Sequence, residues 1–226
     1  FLGNLLEIGC GEGIDLRNSI LKINNIKNIY AVDLGENIID LSKDEELKKV
    51  KFIRCNCINL PFKNNVFDTI YSWGVFHHTT DFNKALNEAI RTLNKNGKLF
   101  FYTYKKQKNI VKYFGTIVEA FLMKILRKLN SKLARIVCYI ISFQVLFLFS
   151  YPAQILKILN ISSYNKIPYH WGWLPSDVYL SVADRLLSPI NIRHSKHEME
   201  KILKNLDIFS FQVIERNEGL FIKIIK

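Results

Sequence analysis

Cysteine, proline and methionine are all scarce in this sequence. Its 226 residues hold four cysteines, five prolines and two methionines. Thiols at only 10, 55, 57 and 138 do not make a disulfide-stapled secreted fold. Cys55-Asn56-Cys57 also lacks the two-residue gap of zinc knuckles, and no His, Cys and carboxylate group has metal-ligand spacing. The thiols therefore read as reduced, in a reducing, cytoplasmic setting, and no metal is expected. With 49% apolar and 23% charged residues, disorder and low-complexity fibres are excluded. Neither a Gly-x-Ser-x-Gly elbow nor a phosphate loop ending in Gly-Lys-Ser/Thr is present.

Negative charge is missing from the middle of the chain. Ten Lys or Arg lie between Lys98 and Arg135 with Glu119 as the one acid, and no acid occurs from Arg135 to Ser176. The net charge of +12 thus belongs largely to one segment, which is also very apolar. Lysine interleaved with Leu, Ile and Phe suits amphipathic helices rather than a nucleic-acid stripe. Residues 105–150 are expected to associate weakly with an anionic membrane, at its inner face. The longest apolar run, Ile136 to Phe149, is fourteen residues, short of the roughly 20 that cross a bilayer. Ser150, Pro152 and Gln154 read as interruptions, so a buried or interfacial helix is expected there. The chain opens on Phe1 just before a strand-like run, without a charged leader, which reads as a fragment lacking its N-terminal part.

What is present is an alternation. Apolar strand-like runs at Leu5–Ile8, Ile29–Val32, Val50–Arg54, Phe67–Ser72 and Lys98–Tyr104 are separated by helical patterns over 14–23, 36–42 and 81–93. Asp81 reads as an N-cap, and Asn96-Gly97 as the turn into the fifth strand. Ser195 with Glu198 three residues on is a capping-box pattern for a helix to Leu206. Phe209–Glu215 and Leu220–Ile225 read as a closing hairpin. The expected fold is α/β: a doubly wound, mostly parallel seven-stranded Rossmann-like sheet with a C-terminal antiparallel hairpin and a helical insertion. The expected parts are 1–104 as the ligand-binding half, 105–190 as a helical cap, and 191–226 completing the sheet.

Between the first strand and the first helix stands Glu7-Ile8-Gly9-Cys10-Gly11-Glu12-Gly13. Glycines there let a ligand approach the backbone at the carboxyl edge of the sheet. Asp33, ending the second strand, can accept hydrogen bonds from a ribose diol. A dinucleotide turn wants G-x-G-x-x-G, but Ile14 holds the third glycine's place and Glu12 repels a pyrophosphate. A nicotinamide-dependent oxidoreductase is therefore the weaker alternative, and a nucleoside with a cationic, phosphate-free tail suits the turn better.

Leu6–Gly13, Asp33, Asn59-Leu60-Pro61-Phe62, Phe67-Asp68 and Tyr71–His78, in this order and spacing, resemble the class I S-adenosylmethionine-dependent methyltransferases, and among them the type 11 methyltransferase domain. The resemblance covers about residues 2–104. It implies S-adenosyl-L-methionine as cofactor, with Glu7, Gly9, Cys10, Gly11 and Gly13 around its methionine part. Asp33 would take the ribose, Leu34 the adenine face, and Asn56 and Cys57 the adenine edge. The family usually carries Asp at position 56, so the charge is lost there. Trp73 and Gly74 would face the reactive methyl. The Asn/Asp-Pro-Pro-Tyr/Phe sequence of many enzymes that methylate planar amino groups is absent, which argues against a nucleobase acceptor and for a small-molecule or lipid-like one. A second, shorter resemblance joins Asp184–Pro189, His194 and Glu198 to the tail of a type 11 subgroup.

If the acceptor is a hydroxyl, transfer needs a base tuned near neutrality. His78, and His194 oriented by Asp184, are the candidates, with structural roles as the competing reading. His170 reads as an ordinary loop histidine and His197 as solvated. A degenerate domain that binds cofactor or a partner without catalysis is the remaining alternative.

Overall fold

The computed structural model describes residues 3–107, 110–167, 174–216 and 219–226. The chain divides into two compact units, residues 1–106 with 192–226, and residues 107–191.

The first unit is built on seven strands: β1 (Gly3–Ile8), β2 (Ile26–Asp33), β3 (Val50–Arg54), β4 (Phe67–Trp73), β5 (Leu93–Tyr104), β6 (Ser210–Glu215) and β7 (Gly219–Ile225). Their order is β3-β2-β1-β4-β5-β7-β6. The first five run parallel, while β7 is antiparallel to both β5 and β6. The expected doubly wound sheet with its closing hairpin is what the chain forms. Strand order reverses between β1 and β4, the place where open α/β sheets leave a crevice at their carboxyl ends.

Alternating residues bury both faces. Leu5, Ile29 and Ala31 lie under α1 (Ile14–Asn18) and α2 (Asn37–Leu41) in a core with Leu16, Ile38 and Leu41. Leu6, Ile8, Ile70 and Leu99 meet Phe82, Leu86 and Ile90 of α3 (Phe82–Thr92) on the other face. The same core takes Met199 and Leu203 of α8 (Lys196–Lys204). Asp81 caps α3 by accepting from the Lys84 amide at 2.9 Å. Ser195 and Glu198 close the expected capping box at 3.2 and 2.7 Å.

Two boundaries differ from expectation. The helix over 14–23 is broken at Ser19, whose φ of −130° is non-helical, and continues only as a 3₁₀ turn at Ile20–Lys22. Asn18 and Ser19 compete with the helical backbone through their own side chains, which favours a break there. The fifth strand starts at Leu93, not Lys98, and Asn96, with φ +63°, sits inside it as an irregular bulge.

The second unit contains α4 (Ile110–Leu126), α5 (Ser131–Val145), α6 (Tyr151–Ile158) and α7 (Pro175–Leu187) around a core of Met123, Leu126, Cys138, Leu146, Val178, Val182 and Leu186. Here the apolar run Ile136–Phe149 does not stop at Ser150, Pro152 and Gln154. Helix is continuous from Ser131 to Ile158, 28 residues. Leu146–Ser150 widen into a π-turn in which the Tyr151 amide reaches the Leu146 carbonyl. Pro152 follows directly, and the widened turn before it accommodates the missing N–H and the ring. Among the described residues this is the one helix long and apolar enough, by length and composition, to cross a membrane. His170, with residues 168–173, lies outside the described residues.

Candidate active site

The glycine turn after β1 is bent by backbone conformations that side chains avoid. Gly9, Gly11 and Gly13 have φ of +78°, +50° and +72°. The amides of Gly9 and Cys10 donate to the Val32 carbonyl at 2.7 and 3.3 Å, tying the turn to β2. At Gly9 a Cβ would meet Val75 at 2.1 Å, whereas at Gly11 it would meet nothing within 4 Å. The first glycine is thus needed for packing, and the second faces open space.

Asp33 organises that space. Its Oδ2 accepts from the Gly11 amide and its Oδ1 from the Gly35 amide, both at 2.8 Å. Each carboxylate oxygen keeps a further lone pair for hydroxyl donors. The Asn37 side chain donates to the Gly11 carbonyl and fixes the turn from α2. Leu34, next in the chain, is 63% exposed, an apolar surface at the sheet edge.

Glu7 lies beneath the turn on β1. It is 2% exposed, and its Oε2 has no hydrogen-bond partner. Burial, then the charges of Asp15 and Asp33, push its pKa up to about 8. Asp15 accepts from the Tyr71 hydroxyl at 3.2 Å. Three carboxyl groups thus stand close enough to act on one another around the turn, and the Glu7 oxygen lacks a donor. Such a site favours a cation that also carries hydrogen-bond donors, and disfavours a pyrophosphate. The residues present fit a sulfonium nucleoside.

The other candidate residues differ widely in burial. Cys10 and Cys57 are buried, which raises their pKa values to about 12 and about 11, so both are thiols at neutral pH. Asn56 is exposed; its Oδ1 accepts from the Ile58 amide at 3.2 Å. Trp73, at the end of β4, is 45% exposed and stacks on Tyr102 with centroids 4.9 Å apart. Gly74 follows with φ +74°. Beyond the ends of β4 and β5, the rings of His77 and His78 lie 4.1 Å apart and His77 lies 4.3 Å from Tyr104. The His194 amide donates to the Tyr104 carbonyl at 3.4 Å, and its ring packs on Phe82 at 4.6 Å. Burial lowers its pKa, which favours the neutral ring. The fold thus brings His78 and His194 to the same end of β5. Asp184 is an exposed residue of α7 in the second unit, and His197 is exposed on α8.

The family model described as a methyltransferase domain matches residues 6–101. Over those residues the chain is similar to methyltransferase domains. Among curated relatives, the ubiquinone/menaquinone biosynthesis C-methyltransferase UbiE of Rickettsia prowazekii is 32% identical over 115 residues, 46% of each chain. The tRNA (carboxymethyluridine(34)-5-O)-methyltransferase alkbh8 of Xenopus tropicalis is 30% identical over 112 residues, 46% of this chain and 17% of that protein. This chain therefore spans less than half the length of either. The crystal structure of an S-adenosylmethionine-dependent methyltransferase from Aquifex aeolicus shares the fold, with a TM-score of 0.53 at 16% identity over 98% of this chain and 81% of that one. Class I methyltransferase domains use S-adenosylmethionine as cofactor, in agreement with the cation-seeking character of the glycine turn.

The second unit holds a feature that sequence reasoning missed. A cavity of about 280 Å³ is lined by apolar residues including Val118, Leu122, Ile141, Val145 and Val182, together with Glu119 and Arg185. Those two side chains are 12% and 5% exposed and form an ion pair at 3.4 Å. The one available signal was Glu119 itself, a lone acid among ten cations.

Proposed function

We propose that this domain transfers a methyl group from S-adenosylmethionine to a small, apolar or lipid-like acceptor. The observation that carries the transfer reading is the open space at Gly11, bordered by Asp33 and by a buried Glu7 oxygen without a partner. In this reading Glu7, Gly9, Cys10, Gly11 and Gly13 hold the methionine part and Asp33 accepts the ribose hydroxyls. Leu34 covers the adenine, Asn56 and Cys57 meet its edge, and Trp73 and Gly74 border the acceptor. When bound, the cofactor supplies an electrophilic methyl group. The chain's own residues orient the acceptor for in-line attack, which is worth several kcal/mol. His194 or His78 removes the acceptor's proton if that acceptor is a hydroxyl.

The acceptor class is supported by the absent Asn/Asp-Pro-Pro-Tyr/Phe sequence and by the apolar cavity of the second unit. The quinone-pathway relative points the same way. The tRNA relatives supply the competing acceptor. Incubating the full chain with methyl-labelled S-adenosylmethionine, a total lipid extract and bulk tRNA separates them. Label in the organic phase is the expected result. Label in tRNA overturns the acceptor class, and bound cofactor without any labelled product favours a non-catalytic domain.

A further inference from the structure

The long helix of the second unit is apolar on its exposed face as well as on its packed one. Its fully buried positions are Ala134, Cys138, Ser142, Leu146, Ser150 and Ala153, and Val137, Ile141, Val145 and Tyr151 pack half-buried against the same core. Its exposed face carries Leu133, Ile136, Ile140, Phe143 and Phe147, spaced three and four residues apart, with Ile136 55% and Phe147 58% exposed. A water-soluble amphipathic helix hides its large apolar residues and exposes polar ones. Large apolar residues turned away from the packed face suit surroundings of hydrocarbon rather than water. The same unit's α4 exposes an apolar stripe of its own, Phe114, Val118, Phe121 and Ile125.

Charge says which surface these stripes fit. Lys124, Lys128, Lys132 and Arg135 cluster around the junction of α4 and α5 and are exposed, and no acid occurs from Arg135 to Ser176. Cations beside an apolar face match the anionic headgroups above acyl chains. Spanning is disfavoured by α7, which packs along α5 and brings Asp177, Asp184 and Arg185 with it. We infer that the second unit is a monotopic membrane module, the outer face of Ser131–Ile158 lying in the plane of an anionic bilayer at the level of the headgroup–acyl boundary. This inference stands apart from the methyl-transfer reading, since it uses no residue of the glycine turn.

Flotation of the full chain with phosphatidylcholine–phosphatidylglycerol vesicles (3:1) tests it. The wild type floats at low salt, and pure phosphatidylcholine vesicles capture at least fivefold less. An Ile136→Glu/Ile140→Glu/Phe143→Glu variant, whose altered positions are solvent-facing, keeps its far-ultraviolet dichroism and stays in the dense fraction. As a gain-of-signal check, Phe143→Trp emission shifts to the blue on adding anionic vesicles. The inference is overturned if the wild type does not float, if the triple variant floats equally, if the tryptophan emission does not move, or if Ser131–Ile158 is protected from protease as a spanning helix would be.

Discussion

Asp33 binds two backbone amides and still has lone pairs to offer, so it both shapes the glycine turn and faces its open side. Asp33→Ala removes charge-assisted hydrogen bonds worth about 1.5–3 kcal/mol each. Calorimetry should record at least tenfold weaker S-adenosylmethionine binding, and unchanged affinity would remove Asp33 from the site. Glu7 gives a different signature. Its folded pKa, raised from 4.5 to about 8, means the folded chain keeps a proton that the unfolded chain releases across that window. Stability of the unliganded protein therefore falls as pH rises from 4.5 to 8, at about 1 kcal/mol per unit for one proton. A cationic ligand favours ionised Glu7, so its affinity rises over the same range. Glu7→Gln flattens both slopes, and denaturation and binding series between pH 5 and 8.5 read them. The chemistry of the turn was legible at this scale because Glu7, Gly9, Gly11 and Gly13 fall within seven consecutive residues, and Asp33 ends the next strand.

Elements were legible where pattern and cap agreed. Ser195 and Glu198 mark the start of α8, and both halves of the box form. Ser195→Ala should destabilise the first unit by about 1 kcal/mol without weakening cofactor binding, as read by urea denaturation and calorimetry. A loss of binding instead would tie α8 to the site. The long helix was not legible. Ser150 and Pro152 look like breakers, but a π-turn at Leu146–Ser150 absorbs the register change and lets the helix run on. Nothing local signals that widening, because it is decided by how Leu146, Ser150 and Ala153 pack inward. The Glu119–Arg185 pair was hidden for a similar reason, since its members stand 66 residues apart. The gathering of His77, His78 and His194 at the end of β5 likewise depends on chain crossings that no spacing reveals.

At the scale of the whole molecule, two units with opposite surface logic share one chain. The first buries most of its large apolar residues in the two layers that cover its sheet. The second leaves large apolar residues exposed along two helices and encloses an ion pair in an apolar cavity. The strand order sets the switch point between β1 and β4 beside the glycine turn. Asp15 and Asp33, with Glu7 able to ionise beside a cation, favour a positively charged ligand. That claim is tested most directly by titrating the full chain, in parallel, with S-adenosylmethionine and with NAD at pH 7.5 in a calorimeter. Saturable heat with S-adenosylmethionine and none with NAD is the predicted result. Binding of NAD, or silence with S-adenosylmethionine, would contradict the account.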